Sequence, residues 1–314
     1  MKKLITIHIV ILIACLSLQG QNRLNYSQYM VNQGVYNPGY YNSLFDLSGN
    51  IYYRKQWLGI EGSPTTKSLV VNYNLGDRHG LKLNIYQDNI TVFSDLNFGL
   101  GYNWRTYTGN NSMLSLGILA DYGIYSAALG GVNTQMAGDP AFGSIGSSYI
   151  NVGTGAYWES SNFYMGLSAP YLFNNSKNAG LFNPDILFNH VFYTLGSRVE
   201  MGDVQFFPTG LAKVVWGSPI QFDVNANFLY RNKIWYGGGY RNDNTFIFMF
   251  GMVFYEALTL MYSYDLALLA ASNTSSGSHE ITLGYGISFY GGDKPMKRRY
   301  FKRSGGRMKA PKIR

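Results

Sequence analysis

The sequence is short of charge, of thiols and of histidine. Asp, Glu, Lys and Arg make up 13% of its 314 residues, against about 25% in an average soluble domain. With 16% aromatics it is not a disordered chain, because disordered segments are charge-rich and aromatic-poor. After residue 20 no apolar run approaches the roughly 20 residues of a spanning helix. With a mean hydropathy of −0.09, this excludes a helical membrane bundle. The one cysteine is Cys15, and the four histidines are His8, His79, His190 and His279. No HExxH, Gly-x-Ser-x-Gly, phosphate-loop or calcium-loop motif occurs, so no cofactor or metal site is expected.

What is present begins with a targeting segment. Met1-Lys2-Lys3 is basic, Leu4 to Leu16 is apolar, and the stretch ends at Gly20. Residues 1–20 read as a secretory signal peptide cleaved after Gly20, and the alternative is cleavage before a lipidated Cys15. With Cys15 removed, the mature chain offers no disulfide, zinc-thiolate site or Cys nucleophile. Charge is segregated at the other end. Residues 294–314 hold ten Lys or Arg and no acid. Without those ten, Lys2 and Lys3, the body has 13 basic and 17 acidic residues. The formal charge of +8 therefore describes a mildly acidic body with a basic tail at 291–314, centred on Lys297, Arg298, Arg299, Lys302 and Arg303. An exported chain does not meet nucleic acid, so none is expected as a partner.

Between these ends the pattern is alternation. Ile220, Phe222, Val224, Ala226 and Phe228 interleave with Gln221, Asp223, Asn225 and Asn227. Leu96 to Arg105 and Glu280 to Phe289 repeat the pattern. Strand side chains alternate between faces, so each segment has one apolar and one polar face. Fourteen segments follow this rule, near 47–54, 68–75, 81–88, 96–105, 112–122, 149–159, 162–169, 190–200, 204–215, 219–229, 233–241, 245–254, 258–265 and 280–289. Of these, 246–254 is apolar on both faces. The polar faces are too wet for a sandwich core. An apolar outside and a polar inside predict a closed transmembrane antiparallel β-barrel of the outer-membrane type over 47–290. Tyr53, Trp57, Trp104, Trp158, Trp216, Tyr230 and Trp235 lie near segment ends, where aromatic girdles belong.

Connections after even-numbered segments are short, and several after odd-numbered ones are long, at 55–67, 123–148, 170–189 and 266–279. Short periplasmic turns and long outer loops predict a Gram-negative outer-membrane protein with both termini in the periplasm. Charged residues fall mainly on the inward phase: Arg54, Lys82, Arg105, Asp121, Arg198, Asp223, Arg241, Asp265 and Glu280. Their mixed signs predict a paired interior network more than an ion filter. Ser276-Gly277-Ser278-His279-Glu280 contains the residue types of a hydrolase, but neighbours on an extended chain point to opposite faces and make no relay.

Several phrases resemble the PorP/SprF family of outer-membrane proteins tied to type IX secretion and gliding. They are Ser27-Gln-Tyr-Met with Asn37-Pro38-Gly39; Tyr53-Arg54-Lys55-Gln56-Trp57-Leu-Gly with Gly62-Ser63-Pro64-Thr; Lys213 to Leu229; Tyr262-Ser-Tyr-Asp265; and Ser275 to Glu280. The resemblance implies a non-enzymatic barrel that anchors or helps export a secreted surface protein, such as an adhesin, with type IX secretion components as partners. A passive diffusion porin is the alternative. In a closed barrel, Tyr53–Pro64 and Ser276–Glu280 meet at one rim position, either as a partner site or as a staple of the seam. Residues 21–46 either plug the lumen or run along the periplasmic rim. The basic tail is expected in the periplasm, either against an acidic, peptidoglycan-associated partner or without one.

Overall fold

The computed structural model describes residues 25–129, 144–176, 190–215, 218–268 and 275–289. The expected signal peptide, Trp216, most of loops 123–148 and 170–189, and the basic tail lie outside the described residues. Within them the chain is almost entirely strand. In order, the strands are β1 (Leu47–Lys55), β2 (Thr65–Leu75), β3 (His79–Ile90), β4 (Phe93–Gly109), β5 (Ser112–Ala128), β6 (Ser144–Ser160) and β7 (Phe163–Ser176). They continue as β8 (His190–Ser197, resumed after Arg198 by Val199–Met201), β9 (Val204–Val215), β10 (Gln221–Tyr230), β11 (Ile234–Arg241), β12 (Thr245–Phe254), β13 (Leu258–Ala267) and β14 (Ser278–Ile287). The one described helix is α1 (Gln33–Tyr36).

Each strand pairs antiparallel with its sequence neighbours. β1 closes the ring on β14 from Leu47↔Ile287 to Lys55↔His279. The fold is thus a closed fourteen-stranded barrel, with strands where the alternation placed them. The differences lie in length. β4, β5 and β6 each run 17 residues and β7 runs 14, beyond the expected segments. Their ladders continue through polar stretches such as Ser94-Asp95, because backbone pairing needs no apolar face. The β7–β8 ladder stops at Ser168↔Phe192. Beyond it lies Pro170, which has no N–H to donate.

The two faces separate as the period demands. Leu100, Ile118, Ile150, Val224, Phe248 and Tyr285 point outward, with Leu100 71% exposed. An apolar band of this extent belongs in lipid. All nine charged residues expected on the inward phase are buried. In β12, apolar on both faces, Phe246, Phe248 and Phe250 face out while Ile247 and Met249 are buried inside. Trp235 corrects one expectation. It faces the lumen, 4.8 Å from the Phe207 ring, and takes no part in a girdle.

A fourteen-stranded barrel leaves a wide interior. Here residues 25–46 fill it. Tyr26, Ser27, Gln28, Tyr29, Val35 and Tyr36 are buried. Asp46 ends the segment beside the first turn-side ladder pair, where its N–H donates to Ile287 O at 2.9 Å. Connections at the β1 start are short: 76–78, 110–111, 161–162, 202–203, 231–233 and 255–257. The long ones leave from the opposite end.

Candidate functional site

The lumen holds a ring of charge placed by strand phase. Arg54 on β1, Asp223 on β10, Arg241 on β11, Asp265 on β13 and Glu280 on β14 all point inward near the long-loop end. Arg54 donates to Asp265 at 2.9 Å and to Glu280 Oε1. Arg241 donates to Asp223 through Nε at 2.9 Å and Nη2 at 2.8 Å, and reaches Asp265 at 3.3 Å. Their side chains are 0–3% exposed. Buried ions persist only when paired and further hydrogen-bonded. Three carboxylates face two guanidiniums, the buried Lys213 lies within electrostatic reach of Asp223, and further donors come from the N-terminal segment.

Those donors are Ser27 and Gln28. The Ser27 N–H donates to Glu280 Oε1 at 2.7 Å and its hydroxyl to Asp265 Oδ2 at 2.6 Å. The Gln28 N–H donates to Glu280 Oε2 at 3.1 Å, and its side-chain amide to Ser263 Oγ at 3.1 Å. The same Ser27 oxygen accepts from Arg241 at 3.0 Å and Arg54 at 3.3 Å. Four strands, β1, β11, β13 and β14, are thereby tied to two residues of the plug.

The plug is held along its length. Tyr29 donates to Thr209 at 3.1 Å. Tyr26 packs edge-on to Tyr52 at 4.2 Å, and Tyr36 lies 4.9 Å from Phe192. Beyond α1, Lys82 Nζ donates to Asn37 O at 2.7 Å, with Gly34 O and Pro38 O at 3.3 Å. A buried amine thus satisfies carbonyls that a helix end leaves unpaired. Asn37 donates to Ala156 O at 2.9 Å. The wall is bare where Pro38 and Gly39 cross it: a Cβ on Gly117 would lie 2.3 Å from Pro38 O, and one on Gly155 2.0 Å from Asn37 Oδ1. Asn74 Nδ2 donates to Asn42 O and Phe45 O, each at 2.7 Å.

The second feature is the rim above the seam, where both expected blocks come together. Leu58 N–H donates to Gly277 O, and Ser276 N–H to Leu58 O, each at 2.8 Å. Trp57 N–H donates to Ser278 Oγ at 3.2 Å. Lys55 Nζ caps Ser63 O at 2.8 Å, and Gln56 N–H donates to Pro64 O at 3.0 Å. Gly62 takes φ +71° and accepts from Thr91 N–H at 2.8 Å. Trp57 holds φ 46°, a conformation that costs energy for a bulky side chain. The loop is therefore sewn to β14 on one side and to the β3–β4 turn on the other.

The candidate residues divide by exposure. Arg54, Ser63, Pro64, Gly277, Ser278 and Glu280 are buried, out of reach of a molecule outside the barrel. Lys55, Gln56, Gly62 and His279 are half-buried. Tyr53, Trp57 and Ser276 are exposed, and so is Leu58 at 43%. Lys297, Arg298, Arg299, Lys302 and Arg303 lie outside the described residues. No hydrolase relay forms at 276–280. Glu280 is engaged inside with Arg54, while His279 Nδ1 lies 2.7 Å from the exposed Tyr262 hydroxyl. Sequence reasoning found the inward charges but not their shared target, because Ser27 and Gln28 carry no charge to mark them.

A family model described as type IX secretion system membrane protein PorP/SprF matches residues 18–285. No curated protein matches the chain. Among solved structures, a TodX deltaS2S3 mutant monoaromatic hydrocarbon channel is similar at 9% identity and TM-score 0.46, over 85% of this chain and 95% of that one. The outer membrane phospholipase A from Escherichia coli follows at 11% and 0.38, over 85% and 100%. The P. putida toluene transporter TodX stands at 9% and 0.43, over 81% and 93%. None of the three carries an activity over to this chain.

Proposed function

The chain belongs to the PorP/SprF family of type IX secretion system membrane proteins, and we propose that it retains a secreted surface protein at the outer mouth of its barrel. In this reading the short turns are periplasmic and the long-loop end faces the cell exterior. The observation that carries it is the rim above the seam. There a loop fixed by hydrogen bonds on both sides leaves Trp57 and Leu58 39% and 43% exposed. A preorganised aromatic and aliphatic knuckle binds without a large ordering cost. The chain acts as a binding component and not as an enzyme.

The porin reading needs an open lumen, and residues 25–46 occupy it. Affinity purification of the intact protein from outer membranes, with Trp57→Ala and Leu58→Ser beside it, tests the proposal. Recovery of an exported surface protein with the unsubstituted chain, and its loss with the folded variants, is the expected result. Equal recovery with all three would remove the rim from the binding face. Recovery of no exported protein or secretion component would count against retention altogether.

A further inference from the structure

We infer that the chain threads its own barrel from the outer mouth inward, and so displays its mature amino terminus at the cell surface beside the partner-facing rim. The inference rests on the orientation given above, with the long loops outside, and on cleavage after Gly20.

Fourteen strands alone would return both ends of the wall to the short-turn end, and Leu47 and Ile287 do meet there. The N-terminal end departs from this because residues 25–46 recross the lumen. At one end of that path, Asn25 Oδ1 accepts from Gln221 Nε2 at 3.3 Å, and Gln221 is the first residue of β10 at the long-loop end. Ser27 and Gln28 sit level with Arg54 and Glu280, one residue inside the long-loop end of the β1–β14 ladder. Farther along, toward the short-turn end, Lys82 holds the carbonyls of residues 34, 37 and 38. At the other end, Asn74 grips residues 42 and 45 beside the short turns. The order of these contacts runs one way, from long-loop mouth to short-turn mouth.

Reach then decides where the terminus can be. With cleavage after Gly20, four residues precede Asn25, and they extend at most about 14 Å. The apolar band of such a barrel is about 25 Å tall. Four residues cannot carry the terminus back to the periplasm through a lumen that the plug already fills. The terminus therefore joins Trp57, Leu58 and Ser276 on one face, within reach of whatever the rim retains.

Substituted-cysteine labelling of the full chain in intact cells tests this. Asn22→Cys reports the terminus, Asp243→Cys the long-loop end and Asp77→Cys the short-turn end; the unsubstituted protein is the blank. A membrane-impermeant maleimide is expected to label Asn22→Cys as strongly as Asp243→Cys, and to reach Asp77→Cys only after permeabilisation. Labelling of Asn22→Cys together with Asp77→Cys, or its protection in both conditions, would overturn the threading. Labelling of Asp77→Cys but not Asp243→Cys in intact cells would instead reverse the orientation and sink the proposed binding face. Even then threading requires Asn22→Cys to follow Asp243→Cys. An epitope inserted between Asn22 and Arg23, read by antibody on intact cells, gives the same decision if the cysteine variant fails to accumulate.

Discussion

Arg54 and Glu280 are register partners on the two strands that close the barrel, and the guanidinium of one donates directly to the carboxylate of the other. The ion pair thus sits on the seam, inside, with Asp265 and Ser27 on the same guanidinium. Replacing Arg54 by Met leaves the buried Glu280 without its cation and Asp265 with Arg241 alone. Loss of one partner of a buried pair costs about 3–5 kcal/mol. The temperature at which the folded, fast-migrating form disappears on an unheated gel series should fall sharply. Glu280→Gln keeps an acceptor for the plug and should fall less, and the double variant should lose less than the sum of the two.

Where the plug lies on bare wall, a methyl group tests the contact. Gly117→Ala would place Cβ 2.3 Å from Pro38 O and 2.5 Å from Gly39 N, backbone atoms that cannot rotate away. Overpacking of this kind costs about 1–3 kcal/mol. Hydrogen exchange should rise over residues 34–40 while the strand ladders keep their protection. Gly146→Ala meets nothing within 4 Å and should change stability by less than about 0.5 kcal/mol.

Planar-bilayer recording separates a filled lumen from a pore. The unsubstituted barrel should show little stable conductance. Deletion of residues 26–41 removes the filling and should open a large, steady channel. A large conductance in the unsubstituted protein would mean that the plug leaves readily, and would favour a porin.

The barrel wall closes without the basic tail. The last ladder pair is Ile287↔Leu47, and Phe289 N–H donates to Asp46 Oδ2 at 2.9 Å. Truncation after Asp293 should leave insertion and the folded gel band unchanged. If the tail has a periplasmic partner, the loss of that partner should be mimicked by salt, because exposed charge attraction is screened beyond about 8–10 Å. Failure of the truncated chain to insert would assign the tail to assembly instead.

Much of the wall was legible because lipid imposes a period of two on every strand it touches. The same cause sets the limit of the reading. The alternation at 96–105 marks where β4 meets lipid, whereas the strand runs Phe93–Gly109, its ends held by a ladder that ignores side-chain type. Trp235 was assigned to a girdle by residue type, but its phase, opposite Leu229, puts it inside. The path of residues 25–46 had no period to read, since a coil within a barrel has wall on every side. At the rim, adjacency of the two blocks followed from strand order, while the burial of Ser63, Pro64 and Ser278 depends on loop contacts that no spacing encodes.

The hydrogen bond from Ser27 to Glu280 joins positions 253 residues apart. Non-local contacts of this span make for slow folding, because loop-closure entropy is lost before the contact rewards it. The first part of the mature chain has to wait inside an unfinished sheet until the last strand arrives. Only then do Asp265 and Glu280 receive their donors. Until that moment the partly built wall carries unpaired carboxylates and two open strand edges, a state prone to aggregation. The final zippering of β14 onto β1 is therefore the step that shuts the amino-terminal thread inside the wall and brings Glu280 to its donors on Ser27 and Gln28.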